Sequence, residues 1–418
     1  MKAKPKSLAK KNTACRYCGS NKLTRFLSLG DQPPSNSFIS PEKVKSEKRY
    51  PLDVYLCRNC FLVQLIDVVP AEIIFDDYLY LSSSSKALKE HYASLAQTLT
   101  KRFKLKVGDV IVDIGCNDGI LLEGYLLPGL IRLGVEPSEV AKIAIAAGFE
   151  VYKAFFGIKT ASEIVREYKT AKVVTATNVF AHVDDIGSFV AGLPTLLGND
   201  GVFVIEAPYL IDLIDETYFD TIYHEHLCYL SLTPMVQFLK RFGLQVFDVE
   251  RIPFGASGPA IRVFIQTREG KQLIEKSVKK MLSDERKWGV GKIKNYFSYA
   301  RKVEKIKKDV LELMQKIRLS GAQMGGYGAP AKGNTLLNYF GITPNMLECI
   351  AETNTAKQGL LTPGSHIPIV SEKKFLRIMP EYALLLSWNY LDFFLKNSKY
   401  IKKGGKFLVP LPKPKIAP

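Results

Sequence analysis

Long apolar runs are missing from this chain. No stretch approaches the ~18 uninterrupted apolar residues that a membrane-crossing helix needs. The basic start, Met1-Lys-Ala-Lys-Pro-Lys6, is not followed by an apolar segment, so no secretion signal is expected and a cytoplasmic protein is the default. Histidine is scarce, with five in 418 residues. Acids are outnumbered, 41 against 58 Lys and Arg, for a net charge of +17. Such an excess suits a nucleic acid or an anionic small molecule. Much of it is local: residues 268–318 hold 16 Lys/Arg against 7 Asp/Glu. There Phe297, Ala300, Val303, Ile306, Val310, Leu313 and Ile317 recur at helical spacing, which reads first as an amphipathic helix with a solvated basic face. The hydrophobic share of 47% is ordinary, and the length leaves room for two or three domains.

Four of the seven cysteines lie in the first sixty residues, as Cys15-Arg-Tyr-Cys18 and Cys57-Arg-Asn-Cys60. Two C-x-x-C pairs without a secretion signal point to a tetrahedral zinc site rather than disulfides. With four protein ligands no position stays open for catalysis, so the zinc is expected to be structural. Pro33-Pro34 and Pro41 predict an irregular loop between the pairs. Further on, Tyr78-Leu-Tyr80-Leu-Ser82-Ser-Ser-Ser85 precedes a helical pattern from Lys86. The serines read either as a helix cap or, with the tyrosines, as a lid over the next domain.

Val110-Ile-Val-Asp113-Ile-Gly115-Cys-Asn117-Asp118-Gly119 is an apolar strand, a glycine turn and a helix start. Leu133-Gly-Val-Glu136 is a second strand with an acid at its end, 21 residues beyond Gly115, where a carboxylate can accept from both hydroxyls of a ribose. Further strands are predicted at Phe149–Val151, Ala171–Asn178 and Gly201–Glu206. The alternation predicts a doubly wound α/β sheet with its ligand at the carboxyl ends of the strands. The turn lacks the G-x-G-x-x-G spacing of a dinucleotide site. D-x-G-x-x-D-G with an acid after the second strand resembles the S-adenosylmethionine (SAM) site of class I methyltransferases. Asn178-Val-Phe-Ala-His182 stands where many DNA amino-methyltransferases carry an Asn-Pro-Pro-Tyr type of motif.

Three of the five histidines fall within forty-five residues: His182, His224 and His226. Asp220-Thr-Ile-Tyr223-His224-Glu225-His226-Leu-Cys-Tyr229 offers a base, a carboxylate to orient it and a phenol to hold negative charge. The same residues could ligate a metal or satisfy one another in a core, but the His-Glu-x-x-His helix spacing of a zinc enzyme is absent. In an extended segment Tyr223 and Glu225 would face one way and His224 and His226 the other. Beyond residue 250, Gln323-Met-Gly-Gly-Tyr327-Gly-Ala-Pro-Ala-Lys332-Gly-Asn334 is again strand, glycine loop and helix start. It suits an anion at a helix N-terminus, or forms a plain turn. Its order is not that of an ATP-binding P-loop.

Taken in order, the paired C-x-x-C motifs, Tyr78-Leu-Tyr80-Leu-Ser-Ser, Asp113-Ile-Gly115-Cys-Asn-Asp118-Gly, Tyr223-His-Glu225-His226, Gly326-Tyr327-Gly-Ala-Pro-Ala-Lys332-Gly-Asn, Lys357-Gln-Gly and Trp388-Asn-Tyr resemble the SAM-dependent 3-C-methyltransferases of nucleotide-linked 4-keto-deoxysugars. The resemblance implies a zinc-binding domain at residues 1–75, a Rossmann-like methyltransferase core at 76–250 and a second α/β domain at 251–418 holding the nucleotide-sugar. It implies His226 as the base, with Tyr223, Glu225, His182 and either Tyr78 or Tyr80 around it. Asp113, Gly115, Asn117, Asp118, Glu136 and Asn178 are expected at the SAM site, and His224, Arg262, Tyr327, Lys332 and Asn334 at the substrate. The expected partner is a nucleotide-sugar, with no nucleic acid and no membrane, for a monomer or homodimer. The rival reading is a nucleic-acid methyltransferase using the basic surface. Two departures are that relatives often carry His-Gly-Gly-Ser-Leu-Arg where this chain reads Ser257-Gly-Pro-Ala-Ile-Arg262, and Asp where it has Glu352.

Overall fold

A computed structural model describes residues 9–70, 73–74, 81–253, 255 and 258–418. Tyr78, Tyr80 and Ser257 lie outside the described residues. The N-terminal unit contains β1 (Lys10–Lys11), β2 (Leu23–Gln32), β3 (Tyr50–Cys57), β4 (Val63–Leu65) and β5 (Asp67–Val68). β2, β3 and β4 form an antiparallel meander whose fourth strand comes from far along the chain. That strand is β11 (Cys228–Tyr229), pairing Cys228 with Gln64 and Tyr229 with Val63.

The central sheet is seven-stranded. Its members are β6 (Val110–Ile114), β7 (Ile131–Val135), β8 (Glu150–Tyr152), β9 (Val173–Thr177), β10 (Val202–Pro208), β12 (Leu244–Ile252) and β13 (Ala260–Thr267). They lie in the order β12-β13-β10-β9-β6-β7-β8. All neighbours run parallel except β13, which is antiparallel to both β10 and β12. Val110-Ile-Val-Asp-Ile is buried throughout, as a central strand covered by helices on both faces must be. The order reverses between β6 and β9, and the loops leaving their carboxyl ends diverge into a crevice. Ser85 caps the helix Lys86–Arg102, its Oγ accepting from Leu88 N at 3.3 Å. The boundary expected between residues 250 and 251 falls near the end of β12, and β13, its hairpin partner, lies in the same sheet.

The basic segment forms two helices, Lys276–Trp288 and Ile293–Leu319, separated at Gly289, whose φ is +86°. Val303, Ile306, Val310 and Ile317 are buried as their spacing predicts, together with Tyr296, Tyr299 and Met314. Phe297 sits outside that face, 40% exposed. A second sheet follows: β14 (Met324–Tyr327), β15 (Ile350–Glu352), β16 (Ile369–Ser371), β17 (Tyr382–Leu385), β18 (Lys406–Val409) and β19 (Lys415–Ala417). Its order, β16-β15-β14-β17-β18-β19, again places the first strand at a reversal point. Among the described residues no helix is long and apolar enough to cross a membrane.

Candidate active site

The carboxyl ends of β6 and β9 hold the residues expected at the methyl donor. Gly115 leaves β6 with φ +71°, and a Cβ there would lie 2.3 Å from Cγ2 of Val179. Only glycine lets the two strand ends approach so closely. Glu136, at the end of β7, accepts from Asn117 N at 3.1 Å and Ser138 N at 2.9 Å. The serine run reaches the same turn: Ser82 N donates to Asn117 Oδ1 at 3.0 Å and Ser83 N to Asp118 Oδ2 at 2.9 Å. Among the described residues the buried Asp118 Oδ1 has no hydrogen-bond partner, which suits a polar ligand still to be accommodated. Asn178 takes a left-handed φ of +58° and donates from Nδ2 to Tyr92 Oη at 3.1 Å. Asp113 sits beneath, bonded by Thr175 Oγ1 at 2.6 Å, and burial pushes its carboxyl up to about 7. It supports the turn from below.

Residues 220–229 sort their side chains three ways, because His226 N bonds Tyr223 O at 2.9 Å and closes a turn. The strand alternation considered from sequence therefore does not apply. His226 lies with its ring centroid 4.0 Å from Tyr223 and 4.9 Å from His182. Its Nδ1 is 2.6 Å from Thr221 O. A carbonyl only accepts, so the proton is on Nδ1 and the lone pair on Nε2. Burial lowers His226 to about 4, with the Thr221 carbonyl opposing, and holds His182 well below its ordinary range. A cavity lined by Asn178, His182, Thr221, His226 and Tyr229 joins this cluster to the end of β9.

Glu225 was expected to orient His226; it turns elsewhere. Its Oε1 accepts from Asn36 Nδ2 of the N-terminal unit at 2.7 Å, and burial raises it to about 7 against the pull of Asn36 and Lys357. His224 was expected at the substrate. It is buried, with Nε2 3.2 Å from Tyr50 O and 3.3 Å from Pro51 O, so it ties this turn to β3.

The C-terminal unit closes over the same stretch. Trp388 Nε1 donates to Asp220 Oδ2 at 2.6 Å, and Thr335 Oγ1 to Ile222 O at 3.1 Å. Lys332 stands 4.1 Å from the Trp388 ring centroid and bonds Asn389 Oδ1 at 2.5 Å. Burial lowers it to about 8, opposed by Asp220. Asn334 donates to Ser35 O at 2.7 Å, leaving its Oδ1 unpaired. Two other expected substrate residues are committed to the protein. Tyr327 donates its hydroxyl to Glu372 at 2.6 Å inside an aromatic core with Phe375, Phe394, Tyr400 and Phe407. Arg262, on β13, pairs with Glu206 at 2.7 Å and Glu250 at 3.2 Å, and Glu206 also meets His91 at 2.5 Å. Ser35, Asn36 and Thr221 went unread in the sequence. Pro33-Pro34 announced only a turn, and a backbone carbonyl leaves no residue-type signal.

The Sγ atoms of Cys15, Cys18, Cys57 and Cys60 all lie within 4.8 Å of one another. Cys15–Cys60 and Cys18–Cys57 are 3.5 and 3.6 Å apart. Those separations are far beyond the ~2.05 Å of a disulfide and close to the ~3.8 Å edge of a tetrahedron with ~2.3 Å Zn–S bonds. The cluster fits zinc. Next to it, Tyr17 stacks on Phe238 of the core at 4.1 Å.

A parallel sheet with one antiparallel strand inserted near its edge, a glycine turn after the first strand and an acid after the second define a class I SAM-dependent methyltransferase. Family models agree: a methyltransferase domain matches residues 88–249, a zinc binding domain residues 15–75, and a C-methyltransferase C-terminal domain residues 256–412. The C-methyltransferase NovU of Streptomyces niveus is 33% identical over 405 residues, 96% of each chain. This chain belongs to that family of C-methyltransferases. It is a SAM-dependent enzyme that also carries a zinc site. A ubiquinone biosynthesis O-methyltransferase of Rhodopseudomonas palustris is 30% identical over 98 residues, 23% of this chain and 38% of that one. A solved SAM-dependent methyltransferase from Clostridium acetobutylicum is 15% identical, covering 44% of this chain and 92% of its own, with a TM-score of 0.34. That likeness is too slight to carry weight beside the strand order.

Proposed function

We propose that the enzyme methylates carbon beside the ketone of a nucleotide-linked 4-keto-deoxysugar. The observation that carries this reading is the pinned tautomer of His226. Its Nε2 carries the lone pair, on a ring packed against Tyr223 and His182 that lines a cavity reaching Asn178. Carbon becomes a nucleophile only once an α-proton is removed, and the enolate then needs a hydrogen-bond donor. In this reading His226 Nε2 takes the proton and Tyr223 or His182 bonds the enolate oxygen. The enolate charge forming beside the ring raises the basicity of an imidazole otherwise depressed by burial. SAM, held by Asn117, Asp118, Glu136 and Asn178, supplies the methyl group. Lys332 is a buried cation that suits the phosphates, and in this reading the sugar lies between the two α/β units. The motif order shared with sugar 3-C-methyltransferases supports the choice of substrate.

The test is incubation with nucleotide-linked 4-keto sugars in deuterated water without SAM. Deuterium should enter at the α-carbon with wild type and not with His226→Asn. Methyl transfer retained at the wild-type rate by His226→Asn would refute His226 as the base. Methyl transfer to tRNA or DNA, with binding strongly weakened by salt, would replace the substrate reading.

A further inference from the structure

Arg16 stands between two zinc-ligating cysteines, yet its side chain, only 2% exposed, is bonded to the loop that carries His182. Its Nε and Nη2 each lie 3.1 Å from Oδ1 of Asp184. Its Nη1 donates to Leu65 O on β4 and, at 3.3 Å, to Gln64 Oε1. Leu65 N donates in turn to Leu227 O at 2.9 Å, and Leu227 N to Ala181 O at 2.8 Å. The contacts close into a ring: Arg16, Leu65, Leu227, Ala181, and through Asp184 back to Arg16. His226 directly precedes one member of that ring, and His182 directly follows another.

We propose that Arg16 is a positioning residue for methyl transfer, fixing the spacing of His182 and His226 from within the zinc knuckle. A planar guanidinium suits the task, because one rigid fork reaches a carboxylate and a carbonyl on two separate segments. A buried arginine needs partners; here Nε and Nη1 have them, while Nη2 faces Asp184 without a hydrogen bond among the described residues. Lys10 and Asn12 also reach Asp184, at 3.4 and 2.9 Å, but neither bonds β4 at Leu65. Arg16 is thus the knuckle side chain that bonds both the loop after His182 and β4, which pairs with β11 beyond His226. The proposal rests on the reading that these histidines act on the substrate.

The test uses the full-length, zinc-loaded protein and the variants Arg16→Met, Arg16→Lys and Asp184→Asn. Zinc content, SAM affinity, histidine ring signals by ¹⁵N NMR and turnover are measured for each. The expected result is retained zinc and unchanged SAM affinity. The ring signals of His226 and His182 should shift in Arg16→Met and Asp184→Asn alike, with no further shift on combining them. Turnover should fall about 100-fold in Arg16→Met, the scale of a roughly 1 Å misplacement, with partial recovery in Arg16→Lys. Ring signals coinciding with wild type in both Arg16→Met and Asp184→Asn would overturn the proposal. Should Arg16→Met lose its zinc, Asp184→Asn leaves the knuckle sequence intact and decides by the same signals. The ring signals need no substrate. Shifted signals without turnover on any 4-keto sugar would sink the substrate reading and leave the positioning role standing.

Discussion

Burial drives the ionisable side chains around residues 220–229 towards their neutral forms, and the histidines and Glu225 then respond to pH in opposite senses. His224 and His226 in the fold protonate near 4, well below the ordinary 6.5. Their contribution to stability is therefore complete above about pH 6.5 and is lost as pH falls towards 4. Glu225, raised to about 7 from 4.5, contributes fully below 4.5 and loses that contribution as pH rises through 7. Thermal melts should show Glu225→Gln gaining on wild type between pH 5 and pH 8; a constant difference would argue against a raised carboxyl. His226→Asn should cost ~10²–10⁴ in turnover, the usual worth of a general base. His224→Gln should lower the melting temperature without a matching loss of turnover, since His224 bonds Tyr50 and Pro51 rather than the cavity. Residue types in the Tyr223-His-Glu-His turn marked it as a candidate site. Their directions were not, because one backbone bond from His226 to Tyr223 redirects all four.

Strands and helices were the most readable level. Alternating apolar strands and helical patterns give β6, β7, β9 and β10, and the strand read before the second glycine loop is β14. The two-residue β11 escaped, because its pairing is with β4, far back in the chain. The glycine turn after β6 gives a sharp prediction. Gly115→Ala combines a positive φ with a 2.3 Å clash on Val179, and strain of this kind costs ~1–3 kcal/mol. It should lower the melting temperature and weaken SAM binding in calorimetry. Unchanged SAM affinity would mean that the turn is not the donor site.

At the scale of the whole molecule, three units meet on one short stretch. Asn36 and Tyr50 come from the N-terminal unit, and Trp388 and Thr335 from the C-terminal one. The sequence announced three units but not that they share this stretch. Contacts between Asn36 and Glu225 span nearly two hundred residues and leave no local pattern. Stripping zinc with a chelator should therefore abolish methyl transfer although no cysteine lies in the cavity. SAM binding at β6 and β9 should fall much less. Activity surviving full removal of the metal would contradict the coupling through β4 and β11.

The pairing of β4 with β11 also bears on how the chain is made. Residues 63–65 leave the ribosome some 160 residues before Cys228 and Tyr229, their partners. Synthesis proceeds at ~5–20 residues per second, so this strand passes roughly ten to thirty seconds with an open flank. An unpaired apolar flank is a template for the wrong neighbour. A truncated product ending before residue 228 should aggregate where the full chain does not, and a chaperone acting during synthesis would have its first task here.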